Sequence, residues 1–301
     1  MTSLHEYLDE ALHMIQTKAY NSSHIADWDA LRRECHERIA DAQTTADTYP
    51  VISDVLLRLE DGHSSLRTPQ RVQEIEHPEK PIYPAPSGRR LCDDIGYLQI
   101  TGVSTPSIFD AYVATVREVI AANSDPLVKG WIIDVRENRG GSVYPMIAAV
   151  GEILGEGDLG TLVSAQNTTI PWSYRSDGAY CGDILVQRVE KSRFSVDHSW
   201  LPVAVLISDK TRSAGEMLAI SFIGRPNVRT FGEATIGHTN ANQAWELSDG
   251  AWLIVATALE ADRTGKIYHG AIIPDESVAT DWDRFGTDGD LVIAAALRWL
   301  L

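Results

Sequence analysis

The sequence predicts an α/β fold preceded by a small helical bundle, and three observations carry that prediction. Short apolar runs over residues 95–101, 130–136 and 203–207 are rich in β-branched side chains, the mark of strands buried on both faces. Each is followed by apolar residues at helical spacing, over 109–122, 146–154 and 217–223. Residues 1–66 show helical periodicity without such runs. Strands alternating with helices mean helices packed on a largely parallel sheet. The expected division is a helical domain over 1–66, a proline-rich linker or cover over 67–94, and an α/β core over 95–301.

Composition sets the outer bounds. A chain of 301 residues buries one large core, with or without a small accessory domain. A net charge of −16 with no basic patch to offset it excludes a nucleic-acid partner, whose phosphates would be repelled. The three cysteines, Cys35, Cys92 and Cys181, have no close spacing, so they predict neither a disulfide framework nor a metal site. They fit a reducing compartment. The acidic first ten residues lack the apolar centre of a signal peptide, and no apolar run reaches membrane-spanning length. A cytoplasmic location is the expectation, with no metal and no cofactor.

In chain order, Leu4, Tyr7, Leu8, Leu12 and Ile15 form one apolar helical stripe. Trp28, Leu31, Cys35 and Ile39 form a second, on a helix that Asp27 is placed to cap. Thr44 and Asp47 have the spacing of a capping box, and Val51, Ile52, Val55, Leu56 and Leu59 follow it. Pro50 either kinks that third helix or marks its true first turn. Five prolines (Pro69, Pro78, Pro81, Pro84 and Pro86) then remove any periodicity. Residues 155–200 read as irregular, with Trp172, Tyr174, Tyr180 and Trp200 expected on one wall of a cleft. Beyond the strand and helix at 203–223 come a strand near 228–231, a loop over 232–243 and a hairpin turning at Ser248-Asp249-Gly250. A turn-rich segment at 265–275 and a closing helix at 291–301 complete the chain.

Two strand-to-helix loops carry unusual residue choices. Gly140-Gly141 lets a backbone pass close to a bound group with its N–H groups turned inward. The second loop presents Ser213 at the first turn of a helix, where free N–H groups and the positive end of the helix dipole favour an oxyanion. Capping of that helix is the plainer role for a serine there. Side by side at the carboxyl ends of parallel strands, the two loops would supply a nucleophile and oxyanion donors from Gly140, Gly141 and Ala214. A serine attacks only when a base takes its proton. Among nine histidines, His63 and His238 are the candidates, both in polar loops with a glycine before them.

These residues resemble the serine peptidases of the tail-specific, or C-terminal processing, family S41, in the branch of the tricorn core and nisin resistance. Thr211-Arg212-Ser213-Ala214-Gly215-Glu216-Met217 is similar to the family's nucleophile loop. Gly232-Glu233-Ala234-Thr235-Ile236-Gly237, Leu247-Ser248-Asp249-Gly250 and Ile272-Ile273-Pro274-Asp275 resemble its later landmarks, in the right order. The resemblance implies a ClpP/crotonase-like ββα superhelix without an inserted PDZ domain. It also implies peptide-bond hydrolysis through an acyl-enzyme. Where tail-specific members carry a lysine with a glutamine four residues on, this chain has His238 and Asn242. A serine–lysine dyad is therefore absent there, and Asp61-Gly62-His63-Ser64-Ser65-Leu66 resembles the histidine segment of the other branch. His63 is then the expected base, Ser213 the nucleophile and a peptide, such as a ribosomal peptide, the expected partner. His238 stands as the alternative base. The rivals are an inactive relative that binds a peptide or small ligand, and a crotonase-type acyl-CoA enzyme.

Overall fold

The computed structural model describes residues 3–92, 94–124, 128–190 and 197–301. Through them run α1 (Leu4–Lys18), α2 (Trp28–Arg38), α3 (Tyr49–Leu57), β1 (Ser65–Arg67), α4 (Pro69–Glu76), β2 (Ser87–Leu91) and β3 (Ile95–Gln99). Next come α5 (Phe109–Ala122), β4 (Gly130–Asp134), α6 (Val143–Leu154), β5 (Gly157–Ser164), β6 (Thr169–Arg175), β7 (Gly178–Cys181) and β8 (Ile184–Arg188). The chain ends with β9 (Val203–Ile207), α7 (Ala214–Phe222), β10 (Val228–Gly232), β11 (Asn240–Glu246), β12 (Trp252–Asp262), β13 (Glu276–Ser277) and α8 (Leu291–Leu300). Contacts divide it into two units. One comprises 1–79, 163–168 and 240–259; the other comprises 80–162, 169–239 and 260–301. Among the described residues no helix is long and apolar enough to cross a membrane.

In the first unit, α1, α2 and α3 bury the predicted stripes. Tyr7, Leu8, Leu12, Ile15, Leu31, Cys35, Ile52 and Val55 pack with Leu253 and Val255 of β12. Asp27 caps α2 by accepting the Ala30 N–H at 2.8 Å. The Thr44/Asp47 box closes a single 3-10 turn, and Pro50 sits in the first turn of α3, where its missing N–H costs nothing. Thr68 and Pro69 start α4 in the same way inside the stretch expected to be irregular. β1 and β11 both pair antiparallel with β12, Ser65 opposite Ile254 and Trp245 opposite Leu253. β11 thus begins inside the expected 232–243 loop. At the hairpin turn, Asp249 accepts the Tyr7 and Tyr49 hydroxyls at 3.0 and 2.5 Å, fastening the hairpin to α1 and α3.

The second unit is built on a sheet in the order β13-β10-β9-β4-β3-β2, parallel except for the β2 edge. Its central strands β3, β4 and β9 are buried on both faces, which is why they read as unbroken apolar runs. Trp131, Ile133, Val203, Val205 and Ile207 face α5, α6 and α7, while Ile132, Ala204 and Leu206 face α8. Beneath α8, fully buried Arg136 is neutralised by Asp134 and Asp290 at 2.6 and 2.7 Å. A single buried charge would be far more costly than this satisfied cluster.

Residues 155–200 are not irregular as expected. They hold the strands β5 to β8, of which β6–β7 and β7–β8 are antiparallel pairs; 191–196 lie outside the described residues. Trp172 and Tyr174 line no cleft but are buried in the core, Trp172 donating its indole N–H to Ser221 Oγ of α7 at 2.9 Å. Trp200 is 68% exposed.

Candidate active site

β4 and β9 lie side by side and parallel, Asp134 opposite Leu206, so the loops that leave them emerge at the same end. Side chains lash these loops together. Ser208 Oγ donates to the Arg136 carbonyl at 2.7 Å and Thr211 Oγ1 to the Val135 carbonyl at 2.9 Å. The Arg212 N–H reaches the Asn138 carbonyl at 3.1 Å, and Lys210 pairs with Glu137 at 2.9 Å. Asn138 is fully buried. A Cβ on Gly215 would stand 2.8 Å from its carbonyl oxygen, so only glycine lets α7 begin so near the neighbouring loop.

Ser213 occupies the residue before α7 with φ 54° and ψ −122°. A positive φ at a residue with a Cβ is a strained conformation of the kind that concentrates at functional sites. Gly140 lies directly against it: a Cβ there would be 3.1 Å from Ser213 Cβ and 3.5 Å from Oγ. The Gly140 N–H, expected as an oxyanion donor, instead donates to Asn138 Oδ1 at 3.0 Å. Among the described residues no hydrogen bond engages the N–H groups of Gly141 or Ala214. Two unspent donors therefore flank the hydroxyl.

Glu216 fixes this arrangement from below. Its carboxylate is fully buried, Oε2 accepting the Ser213 N–H at 2.9 Å and Oε1 the Gly237 N–H at 2.8 Å and the Thr235 hydroxyl. Burial pushes its pKa up, and these bonds, with one from the His238 N–H, pull it part of the way back. Glu216 thereby ties the loop carrying Ser213 to the loop carrying His238. On β12 the buried Glu260 has an unpartnered Oε2, and burial, then the charge of Glu216, holds its carboxyl well above the usual range.

His63 belongs to the first unit. Asp61 shapes its loop as an Asx turn, Oδ1 accepting the N–H groups of His63 and Ser64 at 2.9 and 2.7 Å. Ser64 Oγ accepts the Ala256 N–H of β12 at 2.9 Å, which pins the loop to the strand. The imidazole Nδ1 lies 2.5 Å from Asn240 Oδ1. A carbonyl oxygen only accepts, so Nδ1 carries the proton and Nε2 is left as a base. Burial lowers the His63 pKa, with Asn240 and Asp61 opposing the shift. Sequence reasoning left the group that orients His63 unassigned, because Asn240 is 177 positions away and only the β1–β12–β11 pairing brings it near.

Known proteins resemble this chain in sequence and in fold. The nisin-resistance protein of Lactococcus lactis subsp. lactis is 34% identical over 160 residues, which are 51% of this chain and 49% of that protein. The chain spans about half the length of that relative and less of the others it matches. Among solved structures, a lipoprotein from Streptococcus agalactiae superposes with a TM-score of 0.81 at 24% identity, covering 99% of this chain and 96% of that one. The photosystem II D1 C-terminal processing protease gives 0.64 at 16% identity, over 93% and 94%. These two share the fold. Residues 94–278 match the description Peptidase family S41, a span that takes in both glycine-bearing loops, Ser213 and Asn240. That match covers more than half of the sequence, and the chain belongs to peptidase family S41.

Proposed function

We propose that the chain is a serine peptidase in which Ser213 is the nucleophile and His63 the general base. Nε2 of His63 takes the Ser213 proton as Oγ attacks a peptide carbonyl. The negative charge that forms on the carbonyl oxygen is met by the N–H groups of Gly141 and Ala214, with Gly140 giving room rather than a donor. His63 then hands its proton to the departing amine, leaving an acyl-enzyme that water hydrolyses by the same route in reverse. Asn240 acts as a positioning residue that fixes the tautomer of His63.

The observation that carries this reading is the strained Ser213 flanked by two unspent N–H donors. His63 is assigned as the base because Asn240 engages its Nδ1, which leaves Nε2 to take a proton, and because its segment resembles the histidine segment of the family branch. Labelling with a fluorophosphonate and turnover of a peptide ester test it. Wild type should label at Ser213, Ser213→Ala should do neither, and His63→Ala should lose far more turnover than His238→Ala. Absence of labelling in the folded wild type would favour the inactive, ligand-binding alternative.

A further inference from the structure

The proline-rich stretch encloses something. Ile82, Tyr83 and Pro84 form one side of a pocket of about 250 Å³, and Val103, Ile108 and Tyr112 belong to its other side. No charged side chain lines it. Most of its hydroxyls already have protein partners: Tyr112 donates to the Thr101 carbonyl at 2.9 Å, Thr115 to the Ala111 carbonyl at 2.9 Å and Ser104 to the Tyr83 hydroxyl at 3.4 Å. Ile82 and Ile108 are nonetheless 40% and 45% exposed, apolar surface left in water around a concave site. Sites that are concave, apolar and largely pre-formed are where ligands bind. Three prolines in the wall fix their own φ angles, so little ordering cost remains for binding to meet.

The pocket borders the nucleophile. A Cβ on Gly102, one of its lining residues, would overlap the Gly140 carbonyl oxygen and stand 2.9 Å from the Tyr83 ring. Val103 bridges to Gly141, its carbonyl accepting the Ser142 N–H at 2.7 Å. One layer of backbone therefore separates the pocket from Ser213 and its oxyanion donors.

We propose that this pocket is a specificity subsite, taking a large apolar side chain (Leu, Ile, Met or Phe) of the peptide within two residues of the bond cut. The proposal rests on the serine-peptidase reading and adds to it the chemistry of the substrate. A benzene ring fills a cavity of about 150 Å³, so a leucine or phenylalanine side chain fits here with room for its backbone. The lining holds no charged group to neutralise a charged side chain, so charged residues are disfavoured at that position.

Wild type and Ile82→Glu are given the same mixture of synthetic peptides with every residue equally represented, and the cut sites are read by mass spectrometry. Fluorophosphonate labelling of Ser213 is followed in parallel. Wild type should prefer leucine over alanine at one position by about tenfold or more. Ile82→Glu should still label at Ser213, which shows an intact nucleophile, yet lose that preference and gain one for lysine or arginine. Ile108→Glu, on the α5 side of the pocket, repeats the test should the first variant fail to fold. Normal labelling and cutting with no apolar preference, or with an unchanged profile in the variants, would overturn the subsite and leave the peptidase reading standing. A folded wild type that neither labels nor cuts would end both.

Discussion

Glu216 grips Ser213 by the main chain, not by the hydroxyl: Oε2 accepts the Ser213 N–H at 2.9 Å while Oε1 holds Gly237 at 2.8 Å. The Ser213 backbone is thus fixed without Glu216 engaging its Oγ, as the proposed nucleophile requires. Glu216→Ala leaves several buried donors unpartnered and should cost about 3 kcal/mol in urea unfolding. Fluorophosphonate labelling of the variant, measured where it is still folded, should slow by about tenfold or more as the loop loosens. Labelling at the wild-type rate would show that the carboxylate does not hold the loop.

Asn240 should set the acid limb of activity. The base must be neutral, and burial lowers the His63 pKa, so kcat/KM should fall only below the usual histidine range, about pH 6.5. Asn240→Asp places a carboxylate beside Nδ1, favours the imidazolium, and should move that limb to higher pH by about one unit or more. Asn240→Ala should lower kcat with little change in KM. A pH profile unchanged in Asn240→Asp would remove Asn240 from the mechanism.

The backbone of Ser213 offers a test of strain. At φ 54° and ψ −122° a side chain is a burden that glycine does not carry. Ser213→Gly and Ser213→Ala should both be inactive. The glycine variant should nevertheless be the more stable by about 1 kcal/mol in thermal or urea unfolding, against the usual order. An alanine variant of equal or greater stability would mean that the turn is relaxed.

Glu260 should make stability fall with rising pH. Unfolded, it ionises near the ordinary carboxylate value of about 4.3. Folded, burial and the neighbouring Glu216 hold its proton to much higher pH. The folded state therefore keeps a proton that the unfolded state has released. The stability from this group is complete below the ordinary carboxylate pH and is lost as pH rises toward the folded value. Glu260→Gln removes the titration, so its stability relative to wild type should improve as pH rises above the ordinary carboxylate value, by at most about 1.4 kcal/mol per pH unit. Parallel stability curves for the two proteins would place Glu260 outside that account.

The parts of this protein that were legible from sequence are those whose neighbours in space are neighbours in sequence. Val203–Ile207 and α7 follow one another, both faces of the strand are buried, and Ser213 falls in the turn between them. β5 to β8 were hidden because polar residues, glycine and proline interrupt their apolar side chains, as Pro171 and Ser173 do around Trp172 and Tyr174. The Thr68–Pro69 start of α4 was present as a signal, masked by the prolines after it. Glu260 had a local sign, a carboxylate that follows the long apolar run of β12 directly. Asn240 had none, since its partner is fixed by strand register alone.

The first unit takes its last segment, 240–259, from beyond the nucleophile loop. During synthesis, Ser213 and both glycine loops leave the ribosome before the hairpin that seats His63. On the proposed reading, a nascent chain stopped ahead of residue 240 holds Ser213 but lacks the Asn240 that orients His63, so competence to cut would arrive late in translation. Neither unit can be made alone by a single truncation.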